Sequence, residues 1–286
     1  MTIIELRNLL DQLGIDVVEE ELKSVSGGDI NFAVQIPSNK GKLFMKYNSN
    51  SEFPDMLRTE AKGLEILSSS KCIGLPEVIN QGAFGDWQYL VLEWIPETQK
   101  DHKFWSIFGK KLAQLHLTTS DFFGLDHDNY IGSLPQKNEK KDAWDTFYFE
   151  NRLEPLMREN YDAGLFTRKE RNQLERLSTQ LYDIVPAEAP ALLHGDLWNG
   201  NYMSSSEGPV LIDPSVYYGH REMDIAMMHL FGGFHPELFE AYHQFYPLEK
   251  GWEDRLEVHQ LYPLLVHTSL FGSSYAQSVK AILAKY

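Results

Sequence analysis

The chain has 286 residues, 43% hydrophobic and 13% aromatic, enough for a large packed core and unlike a disordered segment. Its 26 basic and 41 acidic residues leave a formal charge of −15, which disfavours nucleic acid or anionic lipid as a main partner, because both need a positive surface. The single cysteine, Cys72, rules out an intramolecular disulfide framework and gives no basis for a thiolate metal cage.

Met1 to Leu6 lacks a basic region and a long apolar run, so no signal peptide is expected. No stretch approaches the roughly 20 apolar residues of a spanning helix, which leaves a cytoplasmic location as the expectation. Residues 3–13 carry Ile3, Leu6, Leu9, Leu10 and Leu13 at helical spacing, stopped by Gly14. Residues 17–29 read as extended, and Phe32 to Ile36 and Lys42 to Tyr47 as strands joined by a turn over 37–41. A helix is expected over 52–69, then strands near 78–82 and 87–94. After Pro96 the pattern turns helical: 103–118, 141–163, 167–184, 221–231, 235–245 and 252–284, with Pro263 expected to bend or divide the last. Short strands interrupt at 191–194, 202–204 and 210–212. The fold class is α+β: a small β-rich N-lobe over 1–95 hinged to a larger, mainly helical C-lobe over 96–286.

The segment His194-Gly195-Asp196-Leu197-Trp198-Asn199-Gly200-Asn201, followed by Leu211-Ile212-Asp213-Pro214, carries the chemistry. Phosphoryl transfer from a nucleotide needs a base for the incoming hydroxyl and two oxygen-bearing side chains to hold a metal on the phosphates. Asp196 fits the base, and Asn201, five residues on, matches the Asp-to-Asn spacing of the kinase catalytic loop. Asp213, directly after an apolar strand, fits the second metal ligand. The cofactors expected are therefore ATP and Mg²⁺. His194 reads as a scaffold of the loop, and Asp224 either as a buried buttress of that loop or as a plain helix-start carboxylate.

Lys46 closes an apolar strand, and Glu60, preferred to Glu65, sits on the following helix; the two suit an ion pair that aims the ammonium at the nucleotide phosphates. Gly27 and Gly28 lie upstream in Ser26-Gly27-Gly28-Asp29, equally readable as a phosphate-cradling loop or a hairpin turn. Glu93, Trp94 and Ile95 end the last N-lobe strand, where free backbone groups could read the adenine edge. The loop Phe123 to Gly132 mixes carboxylates, an amide and aromatics. It suits a polyhydroxylated or cationic acceptor, or merely a solvated surface.

Together, the 194–201 segment, Ile-Asp-Pro-Ser-Val-Tyr-Tyr-Gly-His-Arg-Glu-Met-Asp at 212–224, Asp-Asn-Tyr-Ile-Gly at 128–132, Trp144, Phe147, Arg152 and Leu-Tyr-Pro-Leu-Leu-Val-His at 261–267 resemble the fructosamine kinase (ketosamine-3-kinase) family over nearly the whole chain. The resemblance implies a two-lobed protein-kinase-like fold and transfer of the γ-phosphoryl of ATP to the sugar 3-hydroxyl of ketosamines. Because such 3-phosphates decompose and free the amine, it also implies deglycation of a small-molecule or protein-linked substrate. It further implies Asp196 as base, Asn201 and Asp213 as Mg²⁺ ligands, Lys46 and Glu60 as phosphate-orienting residues, and Asp126, Asn129 and Trp198 as acceptor-pocket residues. Asp29 stands where some relatives carry a cysteine, so no thiol switch is expected there. Alternatives are a kinase for an aminoglycoside, choline or a free sugar, and a nucleotide-binding pseudokinase. Lys46, Asp196, Asn201 and Asp213 argue against the pseudokinase. A protein kinase is disfavoured, because no A-P-E segment follows Asp213 and Pro214 replaces the phenylalanine of D-F-G.

Overall fold

A computed structural model describes residues 1–18, 22–25, 30–39 and 41–286. The chain opens with α1 (Ile3–Gln12), whose Thr2 cap and Glu5 exchange hydrogen bonds in a capping box. An antiparallel sheet follows, built from β1 (Lys23–Ser24), β2 (Phe32–Ser38), β3 (Gly41–Ser49), β4 (Val78–Phe84) and β5 (Trp87–Glu93) in the order β1-β2-β3-β5-β4. Between β3 and β4 lies α2 (Met56–Ser69). It starts four residues later than the periodicity suggests, because Asp55 takes a left-handed conformation ahead of it.

Strand alternation assigns the two sheet faces to two helices. Leu43, Met45, Tyr47, Tyr89 and Val91 pack with Leu6, Leu9 and Leu10 of α1. Phe44, Leu90 and Leu92 pack with Leu57, Ala61 and Leu64 of α2. Lys46 shares the parity of Phe44, so the pleat turns it toward α2.

Beyond β5 the chain becomes mainly helical. α3 (Phe104–His116) packs against α9 (Pro236–Phe245) so closely that a Cβ on Gly109 would lie 2.0 Å from the Leu238 carbonyl oxygen. Between them come the hairpin β6 (Asn129–Ile131) and β7 (Leu134–Gln136), then α4 (Trp144–Tyr148), a π-helical turn (Phe149–Leu153), α5 (Glu154–Asp162), α6 (Arg168–Ser178) and α7 (Leu181–Ile184). Four short strands, β8 (Ala191–Leu193), β9 (Tyr202–Ser205), β10 (Gly208–Leu211) and β11 (Tyr217–Gly219), form two antiparallel pairs, β8–β11 and β9–β10. α8 (Glu222–Phe231), α10 (Trp252–Phe271) and α11 (Ser273–Leu283) complete the lobe.

Two prolines inside helices have their losses offset by side chains. Pro155 cannot donate to the Asn151 carbonyl, which lies 3.2 Å from Arg152 Nη1 instead. The π turn at 149–153 sits where that ladder is broken. Pro263 likewise leaves the His259 carbonyl without its helical partner, and the buried Tyr148 hydroxyl reaches it at 3.2 Å and the Val258 carbonyl at 2.7 Å. Of the two expectations, that Pro263 bends or divides the last helix, the division is corrected: α10 runs through it, and the break falls at Gly272, at φ +85°. The strands β6, β7 and β11 have no counterpart in the sequence reading; at three residues each they are too short for a period-2 pattern to register. No helix among the described residues is long and apolar enough to cross a membrane.

Candidate active site

The β8–α8 region builds one face of the interlobe cleft around a buried carboxylate. Asp224, in the first turn of α8, accepts the backbone N–H groups of His194 (2.8 Å) and Gly195 (2.9 Å), and lies 3.3 Å from His116 Nε2. Burial opposes its charge, but these donors outweigh it and hold the Asp224 carboxyl below its ordinary range. His194 Nε2 donates to the Ile212 carbonyl (2.9 Å), leaving Nδ1 to accept from the Asp196 N–H (3.3 Å). Burial lowers its pKa and keeps the ring neutral, which that tautomer requires. Gly195 is at φ +82°, and a Cβ there would stand 2.1 Å from the Ser215 oxygen, so no other residue fits this turn.

From this frame the loop presents Asp196 to the cleft. Asn201 Nδ2 donates to the Asp196 carbonyl (2.8 Å) and to its Oδ2 (3.0 Å), which leaves the Asn201 amide oxygen as an acceptor. Burial is the first cause that raises the Asp196 carboxyl, to about 7; the Asn201 bond opposes it, and the charges of Asp213 and Asp224 add to it. Asp213 follows β10 in the left-handed conformation, at φ +54°, a region that Asp tolerates better than most residues. Its Oδ1 lies 2.5 Å from Lys46 Nζ, and the same ammonium lies 2.7 Å from Glu60 Oε1. Burial works against the charged lysine, yet the two carboxylates prevail and raise its pKa.

Two cavities meet here. A polar chamber of about 190 Å³ is lined by Lys46, Glu60, Asp196, Asn201, Asp213 and Trp198, among others. A largely apolar slot of about 400 Å³ adjoins it, walled by Ala33, Phe44, Leu92, Met203 and Ile212, with Glu93, Trp94 and Ile95 along one edge. The Glu93 N–H is already bound to the Glu77 carbonyl at 2.9 Å, which leaves Trp94 and Ile95 as the backbone groups free to meet a ligand along that edge. Gly27, Gly28 and Asp29 lie outside the described residues.

The acceptor residues read from the sequence fall into three situations. Trp198 is 41% exposed and lines both cavities; its indole lies flat over Gly200, where a Cβ would come within 2.3 Å of the ring. Asn129 borders the polar chamber, but its amide is spent internally, donating to the Val216 carbonyl and accepting from Gln136 and Asn138. Asp126 lies outside the lining of both cavities, with its side chain 73% exposed and 2.5 Å from His127 Nδ1. A loop carboxylate next to a histidine pairs with it in water more readily than it points inward, which the local composition did not reveal. Tyr130, in the 123–132 loop but not singled out as a site residue from the sequence, lines the polar chamber and donates to the Pro54 carbonyl of the other lobe (3.0 Å).

Arg152, Trp144 and Phe147 lie away from the cleft lining. Arg152 is wholly buried, its guanidinium 4.1 Å from the centroid of the Tyr217 ring and 2.7 Å from Asn138 Oδ1. It thus stiffens the hairpin and β11 rather than meeting a ligand.

Similarity to known proteins agrees with this architecture. The fructosamine kinase family model matches residues 3–286. A probable ketoamine kinase of Enterococcus faecium is 38% identical over 265 residues, spanning 92% of this chain and 94% of that protein. One from Lactiplantibacillus plantarum is 38% identical over 270 residues, spanning 93% and 94%. The crystal structure of a Thermobifida fusca protein, provisionally assigned as a fructosamine-3-kinase, superposes with a TM-score of 0.86 at 33% identity, over 97% of this chain and 98% of that one. An aminoglycoside phosphotransferase in complex with ADP and hygromycin B shares the fold, with a TM-score of 0.64 at 14% identity, over 99% and 98% of the two chains. A match over essentially the whole length, with relatives well above 30% identity, makes this chain a member of the fructosamine kinase family.

Proposed function

We propose that the protein transfers the γ-phosphoryl group of ATP to the sugar 3-hydroxyl of a ketosamine, and so starts the release of the glycated amine. The observation that carries this reading is the convergence of Asp196, Asn201, Asp213 and Lys46, drawn from three distant segments, on one small polar chamber beside an apolar slot. The slot suits a nucleobase, with the backbone of Trp94 and Ile95 at its edge. Lys46, held by Glu60, orients the phosphates.

The free amide oxygen of Asn201 and the Asp213 carboxylate are hard oxygen donors of the kind Mg²⁺ takes, so the residues present fit the ion. Bound there, Mg²⁺ would neutralise charge on the phosphate oxygens. Asp196 accepts the proton of the sugar hydroxyl as that oxygen bonds to the γ-phosphorus; the bond to the bridging oxygen breaks, and ADP leaves. The carboxyl raised to about 7 is well matched to this transfer near neutral pH. Trp198 stands at the mouth of the chamber and gives the acceptor an aromatic face. The test is ADP release coupled to a chromogenic reaction, with fructosyl-amine as substrate and glucose, choline and an aminoglycoside as comparators. Turnover of the comparators alone would reassign the acceptor.

A further inference from the structure

Beyond Asp196 the cleft opens into a third chamber of about 1420 Å³, walled by both lobes. Ile30, Asn31, Gly132 and Trp198 line both this chamber and the polar one, so the two are continuous. Its C-lobe wall is a ring cluster around His267: the centroids of Phe231, Tyr275 and Phe271 lie 4.7, 5.0 and 5.4 Å from the imidazole. Phe32 faces it from β2. Phe271 is 57% exposed and Phe32 59%, so folding alone does not account for either ring. Among the described residues, Glu52 is the one carboxylate in the lining, and neither lysine nor arginine appears there.

The position of the cluster is set by helix ends. Phe231 is the last residue of α8 before Gly232, at φ +66°, and Phe271 the last of α10 before Gly272, at φ +85°. These glycines turn the chain sharply and leave the preceding rings at the cleft edge. His267 Nδ1 donates to the Pro263 carbonyl at 2.7 Å, which fixes the imidazole as the centre of the cluster.

A ketosamine is a sugar joined to a secondary amine that is protonated at neutral pH. With the sugar hydroxyl at Asp196, the amine and whatever it carries must leave the polar chamber along a continuous path. Among the described residues, aromatic faces and a single carboxylate favour a cation flanked by apolar groups, and supply no lysine or arginine to pair with a carboxylate. We propose that this groove is the subsite for the amine end of the acceptor, and that the protein prefers ketosamines whose amine bears an aromatic or bulky apolar group. The inference rests on the ketosamine reading of the site and adds its selectivity.

The test compares three fructosamines differing only in the amine: benzylamine, methylamine and glycine adducts, assayed by coupled ADP release. Burying most of a phenyl ring in such a groove is expected to raise kcat/KM for the benzyl over the methyl adduct about 10-fold or more, with the glycine adduct poorest. Phe271→Ala and Phe231→Ala are each expected to cut the benzyl-to-methyl ratio to about 2 while KM for ATP stays within about 2-fold. Tyr182→Ala, an exposed ring outside the groove, should leave that ratio unchanged. Equal turnover of benzyl and methyl adducts, or an unaltered ratio in both phenylalanine variants, overturns the groove assignment and leaves the ketosamine reading standing. Failure of all three adducts with an active preparation overturns both.

Discussion

Lys46 Nζ bridges two carboxylates that come from different lobes: Glu60 Oε1 at 2.7 Å on α2 and Asp213 Oδ1 at 2.5 Å beyond β10. One cation thus links the N-lobe helix to the segment that follows β10. Replacing it with an apolar side chain of similar length leaves the largely buried Glu60 carboxylate, and the partly exposed Asp213 carboxylate, without their cation. Lys46→Met is expected to lower kcat/KM for ATP at least 100-fold, about 3 kcal/mol of transition-state stabilisation. It should also lower Tm, and more so at pH 8 than at pH 5, because burial raises the Glu60 carboxyl and acid neutralises it. Differential scanning fluorimetry across that range reads the effect.

Asp196 makes two opposite predictions for one substitution. Asp196→Asn removes the proposed base and should abolish turnover, by about 10³-fold or more, while nucleotide affinity stays nearly unchanged. The fold should nonetheless gain stability. In the folded chain the carboxyl keeps its proton up to about pH 7, whereas an unfolded aspartate loses it near pH 4. The native state therefore binds more protons between those values, and wild-type stability falls as pH rises through that window. The advantage of the variant should grow from nothing near pH 4 to about 4 kcal/mol above pH 7, measured by urea unfolding. In the wild type, kcat/KM should fall as pH drops through an acid limb near 7.

Asp224 is expected to matter through the loop it holds. Asp224→Ala orphans the His194 and Gly195 N–H groups in a buried setting and should cost about 2–4 kcal/mol. Asp224→Asn keeps one acceptor and should cost less. In both, kcat should fall more than KM for ATP rises, because the displaced group is the proposed base and not the lysine proposed to meet the phosphates.

A pair of glycines separates backbone conformation from space. Gly195 and Gly85 both have positive φ, at +82° and +63°. Only at Gly195 does an added Cβ meet backbone, 2.1 Å from the Ser215 oxygen, while nothing lies within 4 Å at Gly85. Gly85→Ala should cost about 1 kcal/mol of stability with activity retained. Gly195→Ala should abolish activity and sharply lower soluble yield.

How legible this was from the sequence depended on whether a residue's partners are local. The helices α2, α3 and α9 show in their periodicity, because one face of each is buried, whereas β3 and β5 of the first sheet and α8 show as apolar runs. Lys46 and Glu60 could be paired because a lysine ending an apolar strand and a glutamate early in the next helix are close in sequence. The loop 123–132 was less legible: nothing local tells Asn129, whose amide bonds the backbone at Val216, from Asp126, which pairs with its neighbour His127 in solvent. The aromatic groove did leave a trace, the tripeptide Leu-Phe-Gly at both 230–232 and 270–272. Each copy ends a helix with a ring just before a left-turning glycine. That the two copies meet depends on how α8 packs against α10, which no window of sequence contains.

The central claim is that a phosphoryl group passes from ATP to a sugar oxygen held at Asp196. Phosphorus NMR of the product formed from a fructosamine carrying ¹³C at C3 tests it most directly. A new phosphomonoester signal split by C3, absent with Asp196→Asn, is the predicted result. ADP release with no such signal, or the same product from the Asn variant at wild-type rate, would contradict it.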